Sequence, residues 1–161
     1  MRRLKLYSDT SVLGGLFDIE NINRVNTAKS LISAVRNNNY EGFVSFLTIE
    51  EISKVPQEIM NQLKDVIKDA QLQVVAEGED CLELANTYIK GGAIPLKYRN
   101  DARHIAICVY HDIDFIVSWK YKSLEWIHKI REEDYKKTKD LSCKELIEKT
   151  NHAAAAIVSD M

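Results

Sequence analysis

Three carboxylates far apart in the chain, Asp9, Glu51 and Asp101, are the residues best suited to joint chemistry, and the ammonium of Lys120 joins them. Asp9 follows the alternating segment Leu4-Lys5-Leu6-Tyr7, which reads as a short strand. Glu51 falls in the first turn of a helix expected to leave a second strand, Phe43-Val44-Ser45-Phe46-Leu47. Asp101 begins a helix that Asn100 can cap and that runs to about residue 111. Lys120 follows the most hydrophobic strand, Asp114-Phe115-Ile116-Val117-Ser118. With the strands parallel, all four side chains arrive at one edge of the sheet, where such folds gather their ligands. Grouped carboxylates repel one another unless a cation neutralises them. Mg²⁺ or Mn²⁺ suits an all-oxygen set and leaves positions open for a phosphate. Such an ion lowers the pKa of a bound water and polarises a phosphodiester, so metal-dependent phosphodiester hydrolysis is the reaction class this set would serve.

Each acid also has a purely structural explanation. Asp9 can be a turn residue that binds local backbone. Glu51 can be the reciprocal partner of Thr48 in a capping box, and its neighbour Glu50 competes for any ligand role. Asp101 can be an anion at a helix N-terminus. Only their shared location argues for a site.

The elements that must position them follow from periodicity and turn signals. Helical spacing over 26–38 (Ala28, Leu31, Ile32, Val35) ends in a triple-Asn turn, and a further helix after Pro56 carries Ile59, Leu63, Val66 and Ile67. A third strand is expected over 71–76. Residues 80–90 read as a helix with Leu82, Leu84, Ala85, Tyr88 and Ile89 inward, stopped by Gly91-Gly92. Helices are also expected over 124–130 and after the capping box Ser142-Cys143-Lys144-Glu145. The order is β-α-β-α-α-β-α-α-β-α. Right-handed crossovers then give a three-layer α/β/α sandwich around a mostly parallel sheet, with the strand order left open.

The 161 residues suit a single domain, with a core over about 4–126 and a helical extension over about 127–161. Apolar residues make up 45% of the chain and charged ones 29%, which argues against global disorder. A formal charge of −2 excludes coating nucleic acid by net charge alone. No apolar run is long enough to span a membrane, and the N-terminus does not read as a signal peptide. Cys81, Cys108 and Cys143 lack CxxC spacing, which favours reduced thiols and a cytoplasmic location. His104 and Cys108, one helical turn apart, have no second ligand pair and read as packed positions. No nucleophile elbow or phosphate loop is present. Lys97, Arg99, Arg103, Lys120 and Lys122 alternate with Tyr98, Trp119 and Tyr121, a mixture that can hold phosphates and stack bases or simply form a solvated rim.

Leu6-Tyr7-Ser8-Asp9-Thr10-Ser11-Val12-Leu13-Gly14-Gly15, Val44-Ser45 followed by Glu51-Ile52, Asp101-Ala102-Arg103-His104-Ile105-Ala106 and Asp114-Phe115-Ile116-Val117-Ser118-Trp119 together resemble a PIN domain. The likeness is to the toxin-like subgroup of prokaryotic toxin–antitoxin systems. The resemblance implies an endoribonuclease that uses Mg²⁺ or Mn²⁺, with Asp9, Glu51 and Asp101 as catalytic and metal-binding residues. Substrate contacts would fall on Thr10, Arg103, Ser118 and Lys120. It also implies RNA as substrate, a protein antitoxin as partner and a homodimer, with no membrane association. One position departs from the pattern: after Val117-Ser118-Trp119 the subgroup has Asn, and here Lys120 stands. A protonated ammonium cannot ligate a cation and repels a second one. The departure leaves two readings open, a ribonuclease with a weakened site and a catalytically silent scaffold that binds RNA or a protein.

Overall fold

The computed structural model describes residues 2–120, which fall within one compact unit, Met1–Ser123. The elements expected over 124–130 and from Ser142 onward lie outside the described residues, as do Tyr121, Lys122 and Cys143. Four strands, β1 (Leu4–Ser8), β2 (Tyr40–Ser45), β3 (Gln73–Val75) and β4 (Phe115–Val117), form one sheet in the order β3-β2-β1-β4. Every pairing is parallel, with Tyr7 opposite both Phe43 and Ile116. The helices are α1 (Thr10–Gly14), α2 (Ile22–Arg36), α3 (Phe46–Ile52), α4 (Gln57–Asp69), α5 (Glu79–Lys90) and α6 (Arg99–Tyr110).

Alternation along β2 sends neighbouring side chains to opposite layers. Val44 packs with Leu13 of α1, Ile32 and Val35 of α2, and Leu63 and Ile67 of α4. Phe43 joins Tyr7, Leu47, Cys81, Ile107 and Cys108 on the other face, under α5 and α6. The helix–sheet–helix sandwich is thus the observed architecture. Residue 42, under the first of these layers, has room only for Gly, because a Cβ there would overlap Leu72 and come within 2.6 Å of Val35. Among the described residues no helix is long and apolar enough to cross a membrane.

Several boundaries differ from expectation, each for a local reason. Strand β2 stops at Ser45, not Leu47, because Ser45 caps α3 by accepting from the Thr48 N–H (3.2 Å). The Thr48 side chain returns to the Ser45 N–H, so the capping box is Ser45/Thr48 rather than Thr48/Glu51. Helix α2 starts earlier than 26 because the Asn21 side chain caps it. Helix α6 begins at Arg99 after Tyr98, with no side-chain cap, so Asn100 lies inside the first turn. In α5 the buried residues are Cys81 and the expected Ala85, while Leu82 is 37% exposed. Helix α1 is five residues long, too short to announce itself by periodicity.

Candidate active site

Strand β1 delivers Asp9 to the carboxyl edge of the sheet as the N-cap of α1. One carboxylate oxygen accepts from the Val12 N–H (3.1 Å) and the Ser11 hydroxyl (2.7 Å). The other accepts from the Ser118 hydroxyl, which arrives from the end of β4. The side chain is buried and fixed from three directions, so the capping role and a place in the site fall to the same group.

With the capping box shifted, Glu51 is released from any duty at the start of α3 and stands in its last turn. The helix macrodipole disfavours a carboxylate there. Its partners come from elsewhere: Oε2 accepts from the Thr10 hydroxyl and faces His104 Nε2 at 3.5 Å, while Oε1 accepts from Asn100 Nδ2 at 3.0 Å. Burial pushes this carboxyl's pKa up, but hydrogen bonds from His104, Thr10 and Asn100 and the electrostatic pull of the imidazole outweigh it, holding the pKa down at about 2. Glu50 points to solvent and pairs with Lys54 at 3.0 Å, so geometry separates the two neighbouring acids.

A buried hydroxyl network stands behind His104. The Tyr7 hydroxyl lies 2.6 Å from Ser45 Oγ, 3.1 Å from Thr48 Oγ1 and 2.6 Å from His104 Nδ1. Burial raises the phenol's pKa far above its ordinary value, more than the Ser45 and Thr48 hydrogen bonds lower it, so the phenol keeps its proton. When that proton is donated to Nδ1, the neutral ring carries its own proton on Nε2, toward Glu51. His104 is thus a packed residue, as its spacing with Cys108 suggests, and also a support for Glu51.

Asp101, in the first turn of α6, joins Asp9 and Glu51 in lining a cavity of about 520 Å³, together with Thr10, His104 and Lys120. Ser118 contributes through its bond to Asp9. Arg103 does not line the cavity: its guanidinium pairs fork to fork with Glu77, Nε–Oε1 being 2.7 Å. Lys97 and Arg99 do not line it either, and the Lys97 ammonium lies 4.9 Å from the centre of the Tyr98 ring. Asp18, Arg24 and His104 enter the cavity wall without having been expected there. Arg24 precedes the helix expected over 26–38, and no signal in the sequence pointed to it; the earlier start of α2 puts it in the first turn.

The donor chemistry, carboxylate and hydroxyl oxygens without a thiolate, suits a hard divalent cation. Among the described residues, no group of three or more His, Cys, Asp and Glu side chains forms a ready-made ion site. The oxygens of Asp9 and Glu51 are engaged by the protein's own donors instead.

No protein-family model matches the chain, and no curated protein matches it. Among solved structures it matches the crystal structure of Mycobacterium tuberculosis VapC20, a toxin that cleaves the sarcin-ricin loop. The TM-score is 0.56 at 14% identity, over 74% of this chain and 93% of that one. At that identity the likeness is one of fold. The parallel sheet and this match agree with the resemblance in the motifs, and the chain has the fold of a PIN-domain toxin.

Proposed function

We propose that this protein is a metal-dependent endoribonuclease of the PIN-toxin kind, acting within one domain. The observation that carries the reading is the meeting of Asp9, Glu51 and Asp101, from three separate segments, in one cavity beside Lys120. The divalent cation that Asp9, Glu51 and Asp101 would hold, Mg²⁺ or Mn²⁺, supplies an activated water and offsets charge on the phosphodiester. Ser11 and Ser118 fix the Asp9 carboxylate. His104, Thr10 and Asn100 orient Glu51. Lys120, exposed at the rim, takes the place of a second cation by pairing with a phosphate oxygen. A protein antitoxin, a homodimer and a cytoplasmic location belong to the same reading.

Lys120 also favours a second reading, a silent scaffold that binds RNA or a protein partner. Incubating the protein with labelled RNA and Mn²⁺, with and without EDTA, separates the two. Cleavage that EDTA abolishes supports the nuclease; intact RNA under both conditions removes it. Replacing Lys120 with Asn is expected to raise Mn²⁺ affinity in calorimetry, and unchanged affinity would count against the one-cation account.

A further inference from the structure

We propose that Arg24, set beside the face of Trp119, is a phosphate-binding subsite for single-stranded RNA on the cavity wall beside the acidic cluster. The inference rests on RNA being the substrate class of the cavity. Arg24 occupies the first turn of α2, where its charge opposes the helix macrodipole and no acidic residue of that turn offsets it. Its partners lie outside the helix. Nη1 is 3.3 Å from Asp18 Oδ2, and the guanidinium lies 5.8 Å from the centre of the Trp119 ring.

Trp119 is itself held at a local cost. Its indole N–H is buried and meets no acceptor among the described residues, and the ring fits only because residue 15 is Gly: a Cβ there would stand 2.9 Å from Nε1. An orphaned donor and an unfavourably placed cation on the same wall mark a place where local stability yields to something else.

The wall is tied directly to the acids. The Ser11 hydroxyl that donates to Asp9 also accepts from the main-chain N–H of Trp119 at 2.9 Å. One side chain therefore sets the position of a carboxylate and of the platform under Arg24. Asp18, Arg24, Trp119 and Lys120 line the same cavity as Asp9, Glu51 and Asp101. An RNA strand approaching these carboxylates is repelled unless cations flank them, and a guanidinium already positioned by Asp18 and Trp119 can present its remaining N–H groups to phosphate with less freedom left to lose. Asp18 holds Arg24 when no phosphate is present and competes with the phosphate when it arrives.

The test is binding of a fluorescein-labelled single-stranded RNA oligonucleotide to the full chain in EDTA, titrated with salt. Arg24→Gln is expected to weaken binding roughly three- to tenfold and to reduce the slope of log affinity against log salt by roughly 0.7, the loss of one phosphate contact on a single strand. Arg24→Lys should restore the slope, and Asp18→Asn should strengthen binding about two- to threefold by removing the competing carboxylate. Asp18→Asn leaves the cation in place and so remains informative where Arg24→Gln fails to fold. Unchanged affinity and slope in Arg24→Gln, weaker binding in Asp18→Asn, or a wild-type chain that retains no RNA would each overturn the proposal. Arg24-dependent RNA binding with no cleavage in Mn²⁺ would end the nuclease reading and leave this subsite standing. Cleavage with an unaltered Arg24→Gln titration would do the reverse.

Discussion

At the amino edge of the sheet, three helices return to strands through one repeated turn. Asn38, Gln71 and Asp112 adopt left-handed backbone there, with φ of 59°, 52° and 52°. In each turn the next residue bonds back to the final stretch of its helix: Asn39 to Ala34, Leu72 to Ile67 and Ile113 to Cys108. Polar side chains at this edge form ion pairs with exposed arginines: Arg2 with Asp114 (2.5 Å), Arg3 with Glu41 (3.6 Å) and Arg36 with Asp69 (3.7 Å). The carboxyl edge differs. Among the described residues the buried polar side chains are Ser8, Asp9, Ser45, Thr48 and His104, and all of them stand at that edge or in the network behind it. Exposed ion pairs contribute about 0–1 kcal/mol each, whereas a buried polar group costs more than that unless it is bonded. One edge turns the chain with exposed ion pairs, and the other keeps its polar groups buried and bonded to one another.

Substituting Asp9 by Asn would test this contrast most severely. Asn keeps a capping oxygen for α1 but removes the charge. Cleavage in Mn²⁺ should fall at least about a hundredfold, equivalent to roughly 3 kcal/mol of transition-state stabilisation, while the melting temperature changes little. Near-normal turnover would mean that the buried carboxylate is there only to cap. Gly42→Ala, on the packing side of the comparison, should behave in the opposite way. The added Cβ would meet Leu72 and Val35, and chemical denaturation should show a loss of about 1–3 kcal/mol with cleavage per folded molecule unchanged.

Glu51 sharpens the contrast through pH. Its pKa is about 2 in the fold against an ordinary 4.5, with burial working against the drop and the His104, Thr10 and Asn100 contacts producing it. A depressed folded-state pKa contributes stability that is complete above pH 4.5 and is lost as pH falls toward 2. In metal-free protein, the stability advantage of wild type over Glu51→Gln should therefore shrink by on the order of 2 kcal/mol between about pH 5.5 and 2.5. A constant difference across that window, measured by urea unfolding, would show that the three donors do not favour the charged form.

Much of the fold was legible because apolar periodicity and turn residues are local. Topology sends Asp9 at the end of β1 and Asp101 at the start of α6 to one cavity, whereas Glu51 reaches it from the last turn of α3 and not from the helix start expected of it. The α3 start was not legible, since Ser45, Thr48 and Glu51 contain two overlapping capping patterns three residues apart. The structure takes the earlier one, which places Ser45 against the Tyr7 hydroxyl and leaves Glu51 free for the cavity. Arg103 was expected at the substrate and is instead held by Glu77, 26 residues away. The support of His104 by Tyr7 spans 97 residues, and no spacing rule reaches that far. The strand order β3-β2-β1-β4 likewise depends on how the helical layers pack, which periodicity does not encode.

The smallest effect belongs to the amino edge, where residue types answer to backbone geometry. Gln71 is exposed and left-handed, and its N–H bonds to the Lys68 carbonyl (3.0 Å) while the Leu72 N–H bonds to Ile67 (2.9 Å). Leu72 and Ile67 lie in the same apolar cluster, the contact that usually accompanies this helix ending. A side chain with a Cβ is disfavoured in that conformation by about 1–2 kcal/mol, and Gly recovers part of this after its greater entropy in the unfolded chain is counted. Gln71→Gly should therefore stabilise by roughly 0.5–1 kcal/mol, a rise of about 1–4 °C in Tm for a chain of this size. Asn38→Gly should gain less, because Asn tolerates the left-handed region and its Oδ1 accepts from Arg3 at 2.8 Å. Neither change should alter RNA cleavage. Equal gains at both positions would show that the Asn38–Arg3 bond contributes nothing, and a lower Tm in Gln71→Gly would show that the Gln side chain, not the turn, stabilises this edge.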